Sequence, residues 1–117
     1  GRENLKTAYQ LMNKELILKN MKGIFIAYDQ AYNMEIADVL EELGCRGFTM
    51  WQDIAGRGGF DGEPHLGNHA WPTMNNAILT FVQDEVVDSI LARLRAMDEE
   101  TPDLGLRAFV WNVEKNY

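Results

Sequence analysis

Apolar positions along this chain switch between two periods, and the switches predict its elements. From Lys22 the run Gly23–Ile24–Phe25–Ile26–Ala27–Tyr28–Asp29 is short, apolar and bounded by polar residues, which predicts a buried strand. Asn33 is placed to cap a helix, with Glu35 in its first turn, where the helix dipole favours an acid. Ile36, Val39, Leu40 and Leu43 then fall on one helical face, and Gly44 supplies a stop. Gly47–Ile54 alternates, with Phe48, Met50 and Ile54 on one side and Thr49, Trp51 and Asp53 on the other, the period of a strand. Ala77–Val82 reads as a third strand. Asp84 is placed to cap a second helix whose buried stripe is Val87, Ile90, Leu91 and Leu94, and Thr101–Pro102 closes it. Gly105–Val113 is a fourth strand, with Arg107, Phe109, Trp111 and Val113 on one face and Leu106, Ala108 and Val110 on the other.

One stretch obeys neither period. Residues Gly56–Thr73, GRGGFDGEPHLGNHAWPT, hold five of the ten glycines, both histidines and two of the three prolines. Loops beyond about 12–15 residues in compact domains are mostly functional or disordered. This one interrupts a regular fold, so function is expected there.

The order β-α-β-loop-β-α-β predicts an α+β, ferredoxin-like βαββαβ domain: a four-stranded antiparallel sheet with two helices on one face and the long loop between strands two and three. Several strands are apolar on both sides, among them Phe25, Leu79, Phe81, Phe109 and Trp111. Two helices cover only one face. The other is too apolar to stay wet on a monomer, so burial against further copies of the chain is expected. A cover from the N-terminal segment is the alternative.

Composition narrows the function. The 117 residues make one domain, large enough for a core without disulfide staples. A single cysteine, Cys45, excludes an internal disulfide and fits a reducing cytoplasm. No apolar run is long enough to insert in a membrane. The net charge of −7, without a Lys/Arg cluster, argues against nucleic acid as a partner. Residues 1–20 sit apart from the regular pattern. They read as a leader that is cloning-derived, poorly ordered, or a short amphipathic helix on Leu5, Tyr9, Met12 and Leu16; residues 21–117 are the domain.

Four pieces carry a resemblance to a known family. Gly44–Cys–Arg–Gly–Phe–Thr49 resembles the G-x-x-G-x-T that begins strand two in the PII signal-transduction family, and Ala55–Gly56–Arg57 is similar to the F-G-R that opens its T-loop. Val82–Gln–Asp–Glu–Val–Val–Asp88 resembles V-P-D-x-x-V-D at helix two. Ala108–Phe–Val–Trp–Asn–Val–Glu114 is similar to the I-F-V-x-P-V-E of strand four. In order and spacing these cover about residues 21–117, and they point to the divergent PII-like branch. The resemblance implies a homotrimer with a T-loop at about residues 56–73, an effector in the cleft between subunits, and a partner protein, such as a membrane transporter or an enzyme, controlled through that loop.

The same resemblance proposes site residues. Gly56, Arg57, Gly58 and Gly59 would contact a nucleotide or other anion from one subunit, and Arg107, at the position of the family's phosphate-loop lysine, from the neighbour. The family's T-G-x-x-G-D-G-K loop is reduced to one glycine in Glu100–Arg107, and no R-x-R occurs between Arg107 and Tyr117, where the family carries one. The glutamine after the T-loop arginine is replaced by Gly58, and no T-loop tyrosine is present. The expected effector is thus a nucleotide, an adenine nucleotide among the candidates, or another anion, with fewer phosphate-holding groups than ATP-binding members carry. A second reading is a metal-binding accessory protein linked to divalent or heavy-metal tolerance or efflux. Its cofactor would be a divalent transition metal on His65, His69, Glu63 and Asp61, since imidazole and carboxylate are the ligands such metals take. Catalysis is not expected: the loop Tyr28–Asn33 lacks the Gly and Arg that acylphosphatases of this fold need, and no Ser-His-Asp or Cys-His grouping stands out. Cys45 reads as a small buried hydrophobe, Trp51 and Trp111 as intersubunit core, and Trp71 as a partner-binding anchor.

Overall fold

The computed structural model describes residues 2–45, 47–57, 63–69, 73–102 and 105–117, with the side chains of 2–3 and 13–19 also outside the description. The elements are helix α1 (Arg2–Lys19), strand β1 (Met21–Asp29), a 3-10 turn (Gln30–Tyr32), helix α2 (Asn33–Glu42), strands β2 (Phe48–Ile54) and β3 (Asn75–Gln83), helix α3 (Asp84–Glu100) and strand β4 (Arg107–Asn112). The sheet order is β2-β3-β1-β4, and every neighbouring pair is antiparallel. This is the ferredoxin-like arrangement that the alternation of periods predicts.

The core lies between the sheet and the two long helices of the domain. Ile24, Ile26 and Tyr28 of β1 and Ile78 and Val82 of β3 are buried against Ile36 and Leu40 of α2 and Val87, Ile90 and Leu94 of α3. These are the stripes that the helical and strand periods place inward, and their removal from water drives the two layers together. Gly44 ends α2 in a left-handed conformation, φ 77°, and the turn returns the Cys45 N–H to the Leu40 carbonyl at 2.8 Å.

Two caps differ from expectation. Asn33 and Asp84 are the first residues inside their helices, and neither preceding residue makes a side-chain cap. Before α2 the chain enters through the 3-10 turn, which Asp29 caps by accepting the Ala31 N–H at 2.9 Å. Asn33 is left free for tertiary work. Its Oδ1 accepts the Tyr28 hydroxyl at 2.6 Å and the Asn76 amide at 3.2 Å. Asp84 stands in the first turn of α3, 3.6 Å from Lys22, a solvent-accessible pair of small energetic weight.

Strand β2 departs from simple alternation. Trp51 pairs with Ala77 and Ile54 with Asn75, so Gln52 and Asp53 together face Asn76, and Asp53 adopts φ 56°. This β-bulge reverses the parity. Ile54, expected with Phe48 and Met50, stands opposite Asn75 on the face of Trp51. The bulge is held by the Asp53 N–H, which donates to Asn76 Oδ1 at 3.2 Å.

The sheet face away from α2 and α3 carries Phe25, Leu79, Trp51, Phe81, Phe109 and Trp111, as the register requires. Trp51, Phe81, Phe109 and Trp111 are 44%, 47%, 61% and 43% exposed. Phe81 and Trp111 meet edge to face at 6.4 Å. The Trp111 indole lies over Gly23, where a Cβ would come within 2.5 Å of the ring. Over residues 4–12 helix α1 does not cover this face, since those side chains are all exposed.

Burial pushes the Tyr28 phenol above its ordinary 10.0, with the Asn76 hydrogen bond opposing. The folded state therefore keeps the phenol neutral while the unfolded chain ionises. Its stabilisation is present below pH 10 and is lost as pH rises from there through the raised folded value. Tyr28→Phe is expected to cost about 1 kcal/mol at pH 7, the worth of one hydrogen bond. The difference from the wild type should shrink in urea unfolding above pH 10; a constant difference across that range would remove the phenol from the account.

Candidate functional site

The root of the long loop is tied shut. Gly56 and His65 form an antiparallel bridge, the Gly56 N–H donating to the His65 carbonyl at 2.7 Å and the His65 N–H to the Gly56 carbonyl at 2.6 Å. A second rung follows on the returning arm, where the Gly67 N–H donates to the Thr73 carbonyl at 3.1 Å. The segment with no strand period in the sequence thus carries strand-like pairing at its base.

His65 is the centre of this clasp. It is 3% exposed, and its Nδ1 lies 2.5 Å from Oδ1 of Asn75, itself buried. With the carboxamide oxygen as acceptor, Nδ1 carries the proton. The Asn75 amide nitrogen lies against Gly56, where a Cβ would stand 2.5 Å from it. Gly56 is therefore required by close approach: only a residue without a side chain lets the loop root rest on Asn75. Asn75 and Asn76 begin β3 and, by strand alternation, serve opposite faces. Asn75 holds the loop root, and Asn76 holds α2 and the bulge.

Arg57 follows the clasp directly. It is exposed, and among the described residues none pairs with it. A guanidinium without a carboxylate at the mouth of a glycine-rich loop can hold an anion. Gly58 and Gly59, expected beside it, lie outside the described residues, as do Asp61 and Trp71.

Arg107 sits elsewhere. It opens β4, the edge strand opposite β2, with β3 and β1 between. Three interstrand spacings put the two edges about 14 Å apart. Both arginines belong to the same end of the sheet, since Ile54, Asn75 and Asp29 meet there and Arg107 pairs with Ala27. Within one subunit they do not converge. The Arg107 Nη1 donates to the Leu106 carbonyl at 2.6 Å and lies 3.6 Å from Oδ1 of Asp98, too far for a hydrogen bond. That oxygen is buried and, among the described residues, has no hydrogen-bond partner. A cavity of about 280 Å³ opens beside the pair between α3 and β4, with Arg95, Leu94 and Leu106 in its lining.

Three of the four proposed metal ligands, His65, Glu63 and His69, lie among the described residues. His65 is buried with Nδ1 engaged, whereas Glu63 and His69 are exposed. Among the described residues no group of three His, Cys, Asp or Glu could hold an ion. Cys45 is buried, and burial pushes its thiol above the ordinary value, so it stays protonated and packs as a small apolar group. Asn75, Asn76 and the clasping role of His65 are absent from the expectations of the sequence. The signal that could have found them is the pair of asparagines directly before an apolar strand.

With fold and site in place, comparison with known proteins identifies the family. The family model described as nitrogen regulatory protein P-II matches residues 21–117, and the chain belongs to that family. No curated protein sequence matches it significantly. Among solved structures, CPII, a nitrogen regulatory PII-like protein from Thiomonas intermedia K12 bound to ADP, AMP and bicarbonate, is similar. Identity is 21%, coverage is 80% of this chain and 85% of that one, and the TM-score is 0.66. A protein of Thermus thermophilus described as PII-like and signalling is 26% identical over 80% and 86% of the two chains, with a TM-score of 0.58. A DUF3240 family protein from Shewanella baltica shares 15% identity over 84% and 94%, with a TM-score of 0.59. Helix α1 precedes the matched region. Among the described residues no helix is long and apolar enough to cross a membrane.

The clasp yields a paired prediction. Gly56→Ala drives a methyl into the Asn75 amide and should destabilise the protein by about 1–3 kcal/mol. Gly47→Ala, where the new methyl meets nothing within 4 Å, should change stability little. Equal unfolding midpoints for the two variants in urea would show that Gly56 does not rest on Asn75.

Proposed function

We propose that this chain is a PII-like regulator that acts as a homotrimer. In this reading it senses a small anionic effector in the cleft between subunits and controls a partner protein, such as a transporter or an enzyme, through the loop Gly56–Thr73. The effector class is an adenine nucleotide, with bicarbonate as a second anion. Arg57 supplies the charge from one subunit and Arg107 from its neighbour. The role is regulatory, with no catalysis and no resident metal.

The observation that carries this reading is the bare aromatic face with the loop root at its end. Trp51, Phe81, Phe109 and Trp111 form a patch of the kind that monomers rarely expose. Asn75, which holds the loop root, lies on the same face by register. Association through that face would bring the root of one subunit beside another chain, the one way to assemble a site from arginines held at opposite edges. CPII, with the same fold, is seen with ADP, AMP and bicarbonate, which supports the effector class. The exposure of Arg57, unpaired among the described residues, supports its role as the anion-binding charge. Effector binding would order or dock the loop and so change its presentation to the partner, an order–disorder switch.

Two outcomes are expected. Sedimentation of the wild type at micromolar concentration should give a species of three times the 13.4 kDa chain mass, and Phe109→Asp should give monomers that remain folded. A wild type that sediments as a single copy would end the trimer reading. In calorimetric titration with ADP and AMP, Arg57→Ala should weaken binding about tenfold or more, as loss of a charge-assisted contact does. Wild-type affinity in that variant would remove Arg57 from the site.

A further inference from the structure

We propose that His65 is a positioning residue for the effector site: it locks the loop root and so fixes Arg57, without touching the effector itself. The inference rests on the reading of Arg57 given above and adds what sets its place.

Four observations carry it. His65 is buried to 3% exposure within a segment rich in glycine and proline, so its imidazole is part of the folded interior. Its Nδ1 is engaged by Asn75 Oδ1 at 2.5 Å, and Asn75 is anchored in β3, a strand paired on both sides. Its own N–H and carbonyl grip both backbone groups of Gly56. Gly56 in turn seats on the Asn75 amide, in a space that admits no side chain. The chain around Gly56 is thus held from two sides by one histidine, by main chain along the bridge and by the ring through Asn75. Arg57 is the next residue, so only its own torsions separate its guanidinium from a fixed point. An arginine presented from a fixed root loses less freedom on binding than one on a free loop, and its affinity for an anion is higher for that reason. Nδ1 is committed to Asn75 while this bond stands, which gives the histidine a structural role beside the ligand role its residue type first implies.

The test uses the full chain in four forms: wild type, Arg57→Ala, His65→Ala and His65→Asn. Asparagine sets an amide nitrogen close to where the imidazole carries Nδ1, so it can still donate to Asn75. Two readouts are taken. The first, without ligand, is the hydrogen-exchange rate of the Gly56 amide by NMR, with the rate of tryptic cleavage after Arg57. The second is ADP affinity by calorimetry. His65→Ala should speed both exchange and cleavage about tenfold or more and weaken ADP binding by a similar factor, the scale of one buried group left unpaired. His65→Asn should recover most of each, with sedimentation unchanged throughout.

Unchanged exchange and affinity in His65→Ala overturn the inference. So does an asparagine variant no better than alanine, because the ring would then act by bulk alone. Faster exchange without weaker ADP binding, where Arg57→Ala does lose ADP, shows a clasp that does not position the arginine and also overturns it. If Arg57→Ala binds ADP as the wild type does, the effector reading fails instead. Exchange and cleavage then decide whether His65 holds the root.

Discussion

Two helices can screen only one side of a four-stranded sheet, and the organisation of this molecule follows from that limit. On the screened side the strands and helices exchange apolar stripes, Ile24, Ile26 and Ile78 against Ile36, Ile90 and Leu94. On the bare side the same strands present Phe81, Phe109, Trp111 and Trp51 to solvent. Burial of such area is the strongest non-directional driving force for association. A subunit with this surface is incomplete in the physical sense: its second core lies outside it. The proposed trimer, the shared cleft and the placement of the loop root are consequences of where that second core would form.

Polar contacts refine what the apolar layers leave loose. The start of β3 is the clearest case. Asn75 and Asn76 are adjacent, buried and aimed at opposite faces, so one strand end couples two tasks. Asn75 seats the loop root through His65 and Gly56, and Asn76 joins the first turn of α2 to the bulge in β2. Buried amides are costly unless satisfied, and here each has partners. The loop's base is thereby built into the same framework as the core, although most of its length is irregular in sequence.

Much of this was legible in the sequence because periodicity reports burial. Every strand and both helices of the domain stand within two residues of where the apolar pattern puts them, and the bare face was visible as strands apolar on both sides. Three things were not legible, each for a physical reason. The bulge at Gln52–Asp53 keeps Phe48, Met50 and Ile54 in apparent alternation while moving Ile54 to the other face. The caps were misassigned at Asn33 because a 3-10 turn, capped by Asp29, precedes α2, and the asparagine then serves Tyr28 and Asn76. The role of His65 depends on a partner ten residues away and on a glycine that must lack a side chain. Neither relation has a period. The resemblance places Arg57 of one subunit and Arg107 of its neighbour in one site; within a single subunit they stand at opposite edges, and Arg107 turns toward Asp98 of its own α3.

Helix α1 joins the sheet at Met21, which pairs with Gln83, while the loop root lies where Asp29 meets Asn75. Those are the two ends of β1, a nine-residue strand about 30 Å long. Whatever is attached at the amino-terminal side, a fluorophore, an affinity handle or another polypeptide, therefore hangs from the far pole of the molecule. In the proposed reading, cargo then sits away from the pole that would meet effector and partner.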